Sequence, residues 1–129
     1  MKFRNLFIVL FTFAFIATGT LSAKENPVKP MTNKANTELT LLGGLQTDND
    51  GVKSGSAYML GELKSDAAVI PLMTLLHNDQ NVRIRVAAAL ALVKIGDARG
   101  LYAVKRASEF DDSEYVRTLC KNFMNSLSK

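Results

Sequence analysis

The chain has 129 residues, 47 % of them hydrophobic and 22 % charged, with no Trp and a formal net charge of +4. That is material for one small domain, which excludes a multi-domain enzyme and a polytopic membrane protein, and it is too apolar for a disordered tail. Five of the seven Phe fall within residues 1–15, so the totals are dominated by one segment.

That segment comes first in chain order. Met1–Asn5 is a short basic start, Leu6–Ala17 is an apolar run, and Thr18–Ala23 is mostly small before the polar Lys24-Glu25-Asn26. These three parts predict a secretory signal peptide over residues 1–23, cut after Ala23, with cuts after Gly19 or Ser22 as alternatives. The apolar run has 12 residues, short of the roughly 20 that a spanning helix needs. The other reading is an uncleaved anchor, which would tether the chain to a membrane by this segment alone. The expected location is exported, periplasmic or secreted. With no Cys near the cut, a lipid-anchored form is not expected.

Removal of Lys2 and Arg4 with the signal lowers the net charge to +2, a weak field for nucleic acid. The remaining aromatics are Tyr58, Tyr102, Phe110, Tyr115 and Phe123, too few for a base-stacking platform. Nucleic acid is therefore not an expected partner. Cys120 is the one cysteine, so no intrachain disulfide can form.

Residues 24–36 hold two Pro, three Lys and three Asn and read as a flexible linker. From residue 37 to 129 apolar residues recur at helical spacing. Leu39, Leu41, Leu42 and Leu45 give a first helix. Val52-Lys53, Val82-Arg83 and Val116-Arg117 then start three similar stretches, spaced by 30 and 34 residues. Such a period signals stacked helix pairs. In the second stretch Val82, Val86, Ala89, Leu90 and Val93 form one helix face. Asp79 is the expected N-cap, Gly96 the left-handed C-terminal residue and Asp97 the next cap. The following helix carries Leu101, Val104, Ala107 and Phe110. Asp111-Asp-Ser-Glu114 has capping-box spacing and opens a final helix over about 113–127. Gly55 and Gly61 weaken the first stretch by about 1 kcal/mol each. Pro71 implies a late start to its second helix.

The quoted motifs carry a resemblance. Asp79, Val82-Arg83, Ala87-Ala88, Ile95-Gly96-Asp97, Leu60-Gly61-Glu62-Leu63 and Ile70-Pro71-Leu72 resemble the HEAT-repeat family. The likeness is to its short bacterial type, related to phycobilin-lyase repeats. It covers residues 38–127 and is strongest over 57–98. Lys53-Ser-Gly-Ser56 departs from the pattern, as does the sparse helix 98–110. The resemblance implies an all-α fold: a short α-solenoid of two helix pairs with a half-unit at each end. It also implies a non-enzymatic interaction or scaffold module for a protein or peptide. The alternative function is an accessory factor of an enzyme or cofactor system, using a concave pocket to which Tyr102, Lys105 and Arg106 would contribute.

Candidate residues follow. In similar repeats the basic column Lys53, Arg83, Arg117 pairs with turn aspartates, here Asp66 and Asp97, or else forms a partner-binding stripe. Lys105 and Arg106 lie on the helix type that lines the inner face of such solenoids. Phe123 and Met124 on the final helix are candidates for contact with a partner or with a second copy in a homodimer. The candidate partner-binding set is thus Lys105, Arg106, Arg117, Phe123 and Met124. Arg85 and Arg99 are assigned to solvent, and Leu72 and Leu90 to the core. His77 has no second His or Cys nearby, so no metal site is expected. Cys120 lacks a His partner and no carboxylates pair for acid–base work, so no catalytic residues are expected. Without the Lys-Ser/Thr of a phosphate loop, Gly43-Gly44 implies no nucleotide cofactor.

Overall fold

The computed structural model describes residues 33–129. It comprises six α-helices: α1 Lys34–Gly44, α2 Asp50–Glu62, α3 Val69–Asn78, α4 Val82–Ile95, α5 Ala98–Phe110 and α6 Glu114–Ser126, with a 3₁₀ turn over Asp66–Ala68 before α3. Among the described residues there is no strand. Residues 1–23, where a signal peptide is expected, and residues 24–32 of the expected linker lie outside the described residues. The last four linker positions do not: Asn33 caps α1 by accepting the Ala35 N–H, and Lys34–Asn36 form its first turn. Helix thus begins three residues earlier than composition indicates, because an Asn cap can start a helix that no apolar residue marks.

The helices stack in two layers. In the first, α2 packs on α4 and α4 on α6; in the second, α3 packs on α5. Across the layers α3 meets α4, α4 and α6 each meet α5, and α1 packs on α2. Leu60, Leu72, Ile84, Leu92, Val104 and Val116 are fully buried between them, and each such side chain stabilises the fold by about 1.5–3 kcal/mol.

The period is 32 residues. The N-caps of the first-layer helices are Asn49, Asn81 and Ser113, and the helices begin at Asp50, Val82 and Glu114. Hence Val52, Ile84 and Val116 are equivalent, as are Lys53, Arg85 and Arg117. The Val82-Arg83 pair is therefore out of register by two. Val82-Arg83-Ile84-Arg85 holds two apolar–base pairs in succession, and the second is the equivalent one. The helix phase shifts with it. α4 buries Ile84, Arg85, Ala88, Ala89, Ala91, Leu92 and Val93, while Leu90 is only half-buried. Leu72 is buried as expected.

Caps explain the helix ends. Asn49 accepts the Val52 N–H at 3.1 Å and Asn81 the Arg83 N–H at 2.9 Å. Asn81, not Asp79, is thus the N-cap of α4. Gly96 takes φ +79°, as a left-handed terminus needs, and Asp97 caps α5 through the Arg99 N–H. At α6, Ser113 is the N-cap but makes no side-chain cap bond, so the expected capping box does not form. Gly61 is a packing residue: a Cβ there would lie 2.9 Å from Ala91 Cα, backbone that cannot step aside.

Candidate functional site

Two features combine: a buried ion ladder and the groove beside it. The ladder begins from the loops. Asp79 and Asp111 each stand two residues before an N-cap and accept its backbone N–H at 2.9 Å, from Asn81 and Ser113. This fixes each carboxylate toward the preceding repeat. Lys53 then reaches Asp79 at 2.9 Å. Arg85 grips Asp111 through Nε at 3.0 Å and Nη2 at 2.9 Å, and Nη2 also reaches Asp112 at 2.7 Å. Its remaining arm, Nη1, donates to the Asp79 carbonyl at 2.9 Å.

The side chains of Arg85 and Asp111 are both 8 % exposed. Assigned to solvent by sequence, Arg85 is a buried clamp between repeats. Burial pushes Asp111 up, but the Arg85 bonds and the Ser113 N–H outweigh it, so the carboxyl sits below its ordinary range. The Asp111 bond likewise raises Arg85. The ladder expected from the resemblance exists and keeps Lys53 and Arg117, but Arg85 stands in place of Arg83, and Asp79 and Asp111 in place of Asp66 and Asp97. Arg83 is exposed, Asp66 opens the 3₁₀ turn, and Asp97 binds its neighbour Arg99 instead of a base from another repeat.

Beside this clamp, a groove of about 520 Å³ runs between α3 and α5. Met73 and Leu76 line it from α3; Tyr102, Ala103, Arg106, Ala107 and Phe110 line it from α5. His77, Asn78, Gln80 and Asp112 add polar groups, and Arg85, Asp79 and Asp111 also reach its surface. Arg106 lies over the Phe110 ring at 4.5 Å, which orients the guanidinium by cation–π attraction. Tyr102 is 64 % exposed and Phe110 66 %. Two large aromatics on one side of a groove are a contact surface in the making.

The candidate residues separate accordingly. Arg106 lines the groove and Lys105, its exposed neighbour, does not. Arg117 belongs to the ladder, its Nη1 donating to the Asp111 carbonyl. Phe123 and Met124 are half-buried and pack against the core. The clamp and Phe110 escaped the sequence reading. The signal for the clamp was present, since Lys53–Asp79 and Arg85–Asp111 share a separation of 26 residues. Cys120 is buried, and burial with the nearby Asp111 charge pushes its thiol up to about 11. It is a protonated core group at neutral pH. Among the described residues no three His, Cys, Asp or Glu converge as metal ligands, and no helix is long and apolar enough to cross a membrane.

A family model described as HEAT repeats matches residues 38–121. The chain belongs to the HEAT-repeat family. The all-helical stack with its 32-residue repeat is the short α-solenoid that membership implies. HEAT repeats generally mediate protein–protein interaction, and proteins built from them are typically non-enzymatic scaffolds. No curated protein matches the chain.

Proposed function

We propose that this chain is an exported, non-enzymatic HEAT-repeat module that binds an extended segment of a partner protein in the groove between α3 and α5. The observation that carries this reading is the groove itself, with exposed Tyr102 and Phe110 on one helix and apolar Met73 and Leu76 on the other. Export rests on the signal-like residues 1–23 and fits a domain with one buried cysteine.

The volume also suits a small molecule, as an accessory factor of a cofactor system would require. The polar groups favour the peptide. Arg85 is already paired with Asp111 and Asp79 with Lys53, and among the described residues no buried side-chain polar atom lacks a partner. Recognition falls to apolar walls and to the exposed Arg106 and His77, a pattern that suits an extended chain.

The test is selection of binders from a random peptide library on the purified mature protein. Tyr102→Ala and Arg106→Glu should each weaken the selected peptides about tenfold, as loss of an aromatic or Arg anchor does. Unchanged affinity in both variants contradicts the site. Sequencing of the mature N-terminus tests export: a start at residue 24 supports it, and an intact Met1 supports the tethered form.

A further inference from the structure

A second surface, separate from the groove, follows from the ladder. In the first two repeats the base at the fourth helix position meets a carboxylate 26 residues on: Lys53 meets Asp79, and Arg85 meets Asp111. Arg117 is the third member of that series. Its Nη1 is anchored on the Asp111 carbonyl as Arg85 Nη1 is on that of Asp79. Among the described residues, no carboxylate lies within ion-pair distance of its Nε and Nη2 edge. The guanidinium is thus held in the pose of a bidentate receptor with that edge free of a carboxylate, so little further ordering is needed to bind.

One turn further, the repeat position filled by Ala57 and Ala89, both 0 % exposed, is filled by Lys121, which is exposed. A lysine there disfavours apolar stacking of another helix. Like charges at i and i+4 also repel one another, and an anion between them relieves that repulsion. We infer that Arg117 and Lys121 receive the aspartate of an acidic turn from a partner protein, in the place Asp111 takes on Arg85. The carboxylate would lie across Nε and Nη2 of Arg117, with the Lys121 ammonium beside it.

The probe is a blocked synthetic peptide of the sequence Phe110–Tyr115, which reproduces the acidic turn that Arg85 already grips. It is titrated into the full mature chain while the Nε–H signals of the arginines are followed by NMR. The Arg117 signal should shift saturably, while exposed Arg83 does not. Arg117→Lys, which keeps the charge and loses the fork, should weaken binding about fivefold or more. A peptide with both Asp changed to Asn should not bind. The inference is overturned if Arg117 shifts no more than Arg83, or if the Asn peptide binds equally. Tyr102→Ala, which tests the groove, should leave this titration unchanged, so the two readings fail separately.

Discussion

Arg85 shows how much one side chain can organise here. All three of its bonding nitrogens are used, by Asp111, Asp112 and the Asp79 carbonyl. Truncation leaves Asp111 buried and unpaired, and breaking a buried pair from one side costs about 3–5 kcal/mol. Arg85→Ala should therefore lower stability by about 3 kcal/mol in chemical denaturation, while Arg83→Ala stays within about 0.5 kcal/mol, as exposed changes do. Equal effects would place the clamp on the wrong arginine. Lys64 offers the opposite case. It holds φ +50° at the repeat position where Gly96 holds +79°. A left-handed non-glycine residue costs about 1 kcal/mol, so Lys64→Gly should raise the denaturation midpoint. Gly96→Ala should lower it by a similar amount.

At the scale of elements, the contact of α2 with α4 depends on a missing side chain. Gly61 lets the two backbones approach, and Gly61→Ala should cost about 1–3 kcal/mol by overpacking, whereas Gly55→Ala, with open space around it, should stabilise α2 by up to about 1 kcal/mol. The loops between repeats respond to acid. Burial raises Asp79 and Asp111, but their bonds to Lys53, Arg85 and the cap N–H groups prevail, and both sit below the ordinary carboxylate value. A carboxyl depressed in the native state stabilises the fold above its unfolded pKa of about 3.9. That contribution is lost as pH falls through the lower native value. Stability should hold from neutral pH down to about 5 and fall below about 4. Asp111→Asn should be less stable at pH 7 and show a shallower acid limb; an unchanged limb would remove Asp111 as its source.

For the molecule as a whole, the layered helical stack was legible in the spacing of apolar residues, and the family in motifs such as Ile95-Gly96-Asp97 and Leu60-Gly61-Glu62-Leu63. Register was not. Val82-Arg83 and Ile84-Arg85 are chemically alike, and only the 32-residue spacing of the caps Asn49, Asn81 and Ser113 separates them. That slip sent Arg85 to solvent and Leu90 to the core. The groove was legible in part: Tyr102 and Arg106 were candidates on a second-layer helix, but how far α3 stands from α5 is a tertiary fact. Phe110 shares the helical spacing of Val104 and Ala107, which does not distinguish it from them, yet it is exposed.

The central claim is that the α3–α5 groove, beside the Arg85 clamp, is where this solenoid meets its partner. Backbone NMR shift mapping with a library-selected peptide tests it most directly. The account predicts that the largest shifts cluster on residues 73–80 and 102–112, with Arg83, Tyr58 and the N-terminal half of α2 unmoved. Shifts centred instead on α1 and α2, or spread evenly over the chain, would contradict it.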